Sequence, residues 1–406
     1  MTHELAIPAT MGESAPPRRR VLAVLSALMG FASISTDLYL PAMPVMGRDL
    51  GADQSSVELT VSGFLIGFSL GQLLWGPLGD RYGRRFPIAI GLLLFIIGSA
   101  GCATAGSAMQ MIAWRIVQAV GACSGVVLAR AMVRDLYEGS KAAQMLSTLM
   151  TVMAIAPLLG PIVGAQILSI AGWRAVFWSL VVVGLATLAA LFTVPETLPP
   201  SRRNSASISS ALLGYGGLLA NRSVLGFALS GGFFYAGIYA YIAGTPFAYI
   251  DFYHVPVGLY GVLFALGIIG IMATNMLNTR LVAKFGGPQL LRLGALGAMI
   301  SGLSAMAAGM TGWGGLWALV ICLFVFVSWS GLIIANSIGG ALQGFPERAG
   351  AVSALVGAIH YGSGIAGSAA VSALADGTPR PLTVVIAIAG VCCFVSVASI
   401  AWKRHV

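Results

Sequence analysis

The chain has 406 residues, 58% hydrophobic and only 9% charged, far below the roughly 25% charge of a soluble globular domain. That excludes a water-soluble fold and points to an integral membrane protein built from helices. The net charge of +9 sits in short loops between apolar runs, where basic residues set orientation in a bilayer, so no nucleic-acid partner is expected.

Residues 1–20 are polar, hold Pro16-Pro17 and end in Arg18-Arg19-Arg20; they read as a disordered cytoplasmic tail. The apolar run that follows is too long for the h-region of a signal peptide and is expected to stay as a first span. Runs near the ~20 residues that cross a hydrocarbon core predict spans at 21–42, 56–76, 87–105, 109–131, 142–168 and 174–194. Six more follow at 222–246, 258–279, 289–310, 315–338, 350–374 and 380–402. Of the 22 Lys and Arg, all but Arg48, Arg174, Arg380 and Arg115 fall on the side of the termini. Both termini are therefore expected in the cytoplasm.

Between the second and third runs lies Gly76-Pro77-Leu78-Gly79-Asp80-Arg81-Tyr82-Gly83-Arg84-Arg85, predicted to be a ten-residue hairpin. Its three glycines permit tight turns. Asp80 is an acid among arginines, positioned to pair with one of them or to face a helix end as a latch. The segment 195–221, opening with Pro195-Glu196-Thr197-Leu198-Pro199-Pro200 and running into serines, has linker composition. It divides the chain into six-helix bundles at 21–194 and 222–402, with a short tail at 403–406. A shift of 203 residues lays Leu78 on Leu281, Arg81 on Lys284, Tyr82 on Phe285 and Gly83 on Gly286, with Asp80 on Ala283. The halves read as parallel repeats, the second degenerate.

Charge inside the bilayer is costly. Asp37 is the one carboxylate assigned to a span and Arg115 the one deep arginine; both lie at similar depth from the outer side, where they can meet across a cavity as a proton-coupling pair. The competing readings are an interfacial acid for Asp37 and a helix-carbonyl clamp or buried ion pair for Arg115. In the fifth span Pro157, Gly160, Pro161 and Gly164 give a kinked helix with a small-residue face. In the seventh, Tyr235, Tyr239 and Ile242 share a face and offer a stacking surface. Phe247, Tyr249, Phe252 and Tyr253 are assigned to an interfacial belt. With Ser33, Thr36 and Asp37, the Tyr235 face makes the candidate substrate site. His360 is a lone intramembrane histidine, either a proton relay or a packed residue, and His254 is a loop residue. Cys102, Cys123, Cys322, Cys392 and Cys393 lie in apolar runs without a CxxC pair or histidine cluster, so neither a metal nor a disulfide framework is expected. No phosphate-binding loop occurs, so no cofactor is expected and ion or substrate gradients must drive any transport.

The G-x-L-x-D-R-x-G-R-R pattern at 76–85 resembles the signature of the major facilitator superfamily. The chain is similar to its bicyclomycin and chloramphenicol resistance (Bcr/CflA) branch of drug:proton antiporters in Thr36-Asp37-Leu38-Tyr39-Leu40-Pro41, Trp173-Arg174-Ala175-Val176-Phe177, Pro195-Glu196-Thr197-Leu198 and the stretch 241–251. The resemblance implies twelve helices in two parallel-repeat six-helix bundles, a bacterial inner-membrane location, and export of amphiphilic antibiotics in exchange for protons. By motif match it implies that Asp37 is the protonated or substrate-facing acid, that Arg115 heads an R-x-x-Q-G-x-G pattern with Ala119 in place of a glycine, and that 156–165 is an antiporter signature with Ala165 in place of one. Gly76, Asp80, Arg81, Gly83, Arg84 and Arg85 are then the gating set. The expected species is a monomer, not an enzyme, whose partners are a small amphiphilic drug, protons and lipid. An exporter of an endogenous metabolite such as an amino acid or peptide is the alternative. Tyr361-Gly362-Ser363-Gly364 lacks the first glycine of an intramembrane-protease motif.

Overall fold

A computed structural model describes residues 18–137, 139–203 and 215–400. The expected tails at 1–17 and 401–406 and the linker stretch 204–214 lie outside them. The described residues are helical, with no strand. In chain order the helices are α1 (Arg18–Asp37), α2 (Met43–Asp49), α3 (Gln54–Tyr82), α4 (Arg85–Thr104), α5 (Ala108–Leu136), α6 (Gly139–Leu191), α7 (Arg222–Pro246), α8 (Val257–Phe285), α9 (Gly287–Thr311), α10 (Gly315–Ser328), α11 (Ser330–Leu342), α12 (Ala349–Ala373) and α13 (Arg380–Ser399). Eleven stretches among the described residues are long and apolar enough to cross a bilayer, one of them 48 residues long. That one contains Gly172, whose φ of 78° breaks α6, and divided there the molecule has twelve spans.

Local chemistry sets the ends. Asp53 caps α3 by accepting the Ser56 N–H, Ser107 caps α5 and Asn221 caps α7, each filling an otherwise orphaned donor of a first turn. Gly83 and Gly286, with φ of 89° and 77°, stop α3 and α8, a backbone region that penalises a Cβ. Both helices are 29 residues long and their bounds differ by the same 203 residues as the sequence repeat.

Four expectations change. The first span does not end at 42: α1 stops at Asp37, a short turn covers Leu40–Ala42, and α2 carries on to Asp49, because Pro41 and Pro44 cannot continue a helix. The ten-residue hairpin is almost all helix. Gly76 and Gly79 belong to α3, Gly79 because a Cβ there would run into Leu128, and only Gly83 and Arg84 form the turn. The seventh span continues as a π-type turn over Phe247–Phe252, which buries Phe247 and Tyr249 instead of leaving them in a belt; only Phe252 is exposed. The tenth span, expected as one helix over 315–338, is α10 and α11 with a break at Trp329.

The two halves meet along α3 and α12. Small side chains let the backbones approach, and Ser55 pairs with Ser372 (3.0 Å), Ser62 with Ser368 (2.7 Å), and the Ser69 hydroxyl donates to the Ala358 carbonyl (3.0 Å). A second seam brings Gly261 of α8 onto the backbone of Pro161 and Ile162 in α6. At the end away from Gly83, Arg48 and Asp251 join across the halves at 3.3 Å.

Candidate functional site

The break after α1 puts Asp37 in the middle of the molecule, 4% exposed. Thr36 Oγ1 lies 3.1 Å from Asp37 Oδ1 and also donates to the carbonyls of Ala32 and Ser33. The signature glycines lie directly on this break. A Cβ at Gly160 would sit 3.0 Å from Asp37 Cβ, and one at Gly164 would collide with the Leu38 carbonyl. The small residues of α6 thus hold the carboxylate's backbone in place. Pro157 and Pro161 lie in the same helix. Tyr239, Tyr241 and Tyr260, from α7 and α8, lie within electrostatic reach of the acid.

Arg115 is fully buried but does not pair with Asp37. Its Nη1 donates to the Ser35 carbonyl (2.8 Å) and to Gln118 Oε1 (2.7 Å), and its guanidinium lies between the rings of Tyr39 and Phe64, 4.3 and 4.4 Å from their centroids. Gln118 Nε2 then donates to Ser99 Oγ (2.8 Å), and Ser99 to the Phe95 carbonyl (2.7 Å). This is the helix-carbonyl clamp: it ties α1, α4 and α5 and compensates the charge with π faces while Nε and Nη2 stay unpartnered. None of the four ion pairs among the described residues includes Asp37 or Arg115. The face-to-face pair expected from equal depth is absent because the loosened turn at Ser35 offers the guanidinium a backbone acceptor instead.

The aromatic face is larger than Tyr235, Tyr239 and Ile242. The Tyr235 ring stacks on His360 (4.8 Å) and meets Tyr239 and Tyr361 at 6.0 and 5.5 Å; Tyr361 meets Phe68 at 4.5 Å. Phe68 escaped the sequence reading and Tyr361 entered it only through the 361–364 stretch, since an aromatic in an apolar run carries no sign of which neighbour it faces. Ile242 and Ser33 are half-buried, and among the described residues no hydrogen bond joins Ser33 to the aromatic cluster. His360 is buried with Nε2 unpartnered; His254 is exposed in a turn with φ of 53°. Asp37 is also not the sole acid within a span. Glu58, inside the expected 56–76, is fully buried, with Oε1 accepting from Gln54 Nε2 (2.8 Å) and Oε2 unpartnered.

At the other end Arg84 is the hub. Its side chain bonds Asp80 (2.7 Å) and Asp135 (2.8 and 3.4 Å). Glu196 accepts the backbone N–H groups of Arg84, Arg85 and Leu198 at 2.8, 3.0 and 2.9 Å. Burial raises that carboxyl's pKa, but these donors and Arg203 outweigh it and hold it below the usual glutamate value. Arg81 is exposed and Arg85 half-buried. Asp135 and Glu196 complete the network around Arg84; Glu196 was visible only as part of the Pro195-Glu196-Thr197-Leu198 match, and Asp135 was not singled out.

The family model described as Major Facilitator Superfamily matches residues 25–369. A chloramphenicol resistance protein of Pseudomonas aeruginosa is 32% identical over 89% of this chain and 86% of its own, and a bicyclomycin resistance protein homolog of Haemophilus influenzae 29% identical over 93% of each. The chain belongs to the Bcr/CflA branch of the major facilitator superfamily. The fold agrees: the xylose transporter XylE from E. coli, in a partially occluded inward open conformation, superposes with a TM-score of 0.73 over 93% of this chain and 96% of that one, at 18% identity. As a member of this superfamily the chain is a multi-pass membrane transporter, not an enzyme, with multidrug and antibiotic-resistance proteins among its relatives.

Proposed function

We propose that this transporter exports amphiphilic small molecules of the phenicol or bicyclomycin-like kind from a bacterial cytoplasm across the inner membrane, in exchange for protons. The observation that carries the reading is Asp37: a buried acid at a helix break, seated on Gly160 and Gly164 and in no ion pair among the described residues. With Arg115 occupied by Ser35 and Gln118, the carboxyl can take up and lose a proton without breaking a salt bridge. Burial and the arginine's field act on its proton affinity in opposite directions, so a change in water access on opening can switch it. Thr36, Tyr235, Tyr239 and Ile242 then supply the polar and aromatic contacts of an amphiphilic guest. The basic end, holding Arg81, Arg84, Arg85, the start of α1 and the end of α13, faces the cytoplasm by the positive-inside rule. The bundles 21–194 and 222–402 rock about the α3–α12 seam of a single chain, with the Asp80–Arg84 latch gating the inner side. Inward movement of one charge gains ~2.3 kcal/mol per 100 mV.

The test is Asp37→Asn in inverted membrane vesicles loaded by a proton gradient. Uphill accumulation of labelled chloramphenicol should fall to the level of empty vesicles, with normal protein content. Accumulation against a gradient with an unchanged pH profile would place the proton site elsewhere.

A further inference from the structure

Arg130 was assigned by sequence to the basic rim. The structure instead puts it six residues before the end of α5, ~9 Å inside at 1.5 Å per residue. Its side chain is half-buried, its Nε is buried without a partner, and it makes no hydrogen bond or ion pair with any described residue. A guanidinium in that position normally finds a carboxylate, and a space in front of it explains why this one has none.

A cavity of about 560 Å³ at the opposite end is a different space; the one Arg130 lines, with Gln72, Arg134, Glu347 and Ser353, measures about 530 Å³ and lies between the halves at the basic end. Arg84 and Asp80 also border it but are bound to each other. The wall charges with no ion pair among the described residues are therefore Arg130, Arg134 and Glu347, one positive in excess. Between the charges its walls are apolar, with Val127, Leu128 and Ala131 among them. Gln72 lies beside Gly357, and one turn deeper on the same two helices are Phe68 and Tyr361, in ring contact at 4.5 Å. The field of Arg130 reaches Tyr361 and Tyr235. A cation without an ion-pair partner among the described residues thus borders a cavity whose inner end lies one helical turn from an aromatic cluster.

We infer that Arg130 is a recognition site for the anionic group of an aromatic amphiphile, a carboxylate or sulfonate bound by the guanidinium while the ring reaches inward toward the half-buried Tyr361. A planar fork of donors suits a two-oxygen anion, and the Tyr361 ring, one turn deeper, supplies the stacking partner. The inference rests on the reading of the chain as a small-molecule transporter and adds a charge preference to it.

The experiment compares 2-naphthylacetate with 2-naphthylacetamide, which share a ring and differ in charge, by calorimetric titration of the purified full chain in lipid nanodiscs. The wild type should bind the acid about tenfold more tightly than the amide, as a charge-assisted bidentate pair does relative to a neutral one. Arg130→Gln should erase that preference while leaving amide affinity within about twofold, and Arg130→Lys should restore part of it. Amide binding also reports that the variant is folded. Equal affinities in the wild type, an unchanged preference in Arg130→Gln, or equal loss of both ligands would each overturn the inference. Asp37→Asn separates the two proposals: loss of pumping with the acid preference intact supports both, whereas pumping that survives removes the proton assignment and leaves the Arg130 site standing.

Discussion

The two halves share a backbone and differ in chemistry. α3 and α8 have equal lengths and end on Gly83 and Gly286, both with positive φ, so the repeat preserves the turn. The first half surrounds its turn with Asp80, Arg84, Asp135 and Glu196. In the second, Asp80's counterpart is Ala283, and the neighbouring link is a neutral one: Asn336 Nδ2 donates to Asn278 Oδ1 at 2.7 Å. Asp37, likewise, has Ala240 as its counterpart. Backbone geometry persists because a helix must end there in either half. The acids of the turn and the break, unlike the Arg81–Lys284 charge, persist only in the half that carries the proposed switch.

The comparison is broken most severely by removing the acids around Arg84. Arg84 is nearly buried, Asp135 is 16% exposed and Asp80 is 53% exposed, so Asp135→Asn should hurt more than Asp80→Asn. The expected cost is about 1–3 kcal/mol for Asp135→Asn, the range for leaving a charged buried group short of a partner. Thermal unfolding in detergent reads the order, and vesicle transport should fall in both variants while membrane insertion, governed by Arg and Lys, is retained. Asn336→Leu, the neutral counterpart, should lower stability without abolishing transport. Equal transport loss from Asn336→Leu and Asp135→Asn would mean that both halves gate alike.

A second, smaller contrast lies in the glycines. Alanine at either Gly83 or Gly286 incurs about 1–2 kcal/mol for a left-handed backbone. At Gly286 the new Cβ meets nothing closer than Pro288 Cδ at 3.8 Å, but at Gly83 it would lie 2.7 Å from Glu196 Oε2 and 2.8 Å from Arg203 Nη2. Gly83→Ala should therefore displace Glu196 from the N–H groups it accepts and reduce transport as well as stability. Gly286→Ala should shift the unfolding midpoint alone. Matching transport in the two variants would show that Glu196 is dispensable.

The sequence carried the spans, their order, the repeat and the motif positions, because apolar run length and basic asymmetry are one-dimensional signals. It failed where a helix breaks inside the bilayer. Asp37 appeared close to the outer end of its span only because α2 was not anticipated beyond Pro41 and Pro44, and the Arg115 acceptor is a backbone carbonyl at Ser35 that no side-chain pattern announces. Glu58 was passed over near the start of a run, where an acid reads as a boundary residue; its burial comes from tertiary packing. Arg130 was misplaced for the complementary reason, since its helix extends past the expected end of the span at 131 to Leu136. Run length finds the hydrocarbon core but not how far a helix projects beyond it.

The smallest expected effect lies where the halves touch each other. Arg48 and Asp251 are 203 residues apart, so they occupy equivalent positions in the two repeats and meet near the symmetry axis at the outer end. Their side chains are 66% and 41% exposed, which limits the pair to about 0–1 kcal/mol, less than the buried serine contacts beside it should contribute. Its effect should be on the balance of states. Breaking an outer contact favours outer opening by no more than about fivefold for 1 kcal/mol, and salt should weaken even that. Spin labels at Ala52 and Ala375 can report the outer separation. Arg48→Gln should shift a modest fraction toward longer distances at low salt and little at high salt, and exchanging the charges with Arg48→Asp and Asp251→Arg should return the wild-type distribution. Identical distributions in the single variant and the wild type at low salt would leave the outer closure to the Ser55–Ser372 and Ser62–Ser368 contacts alone.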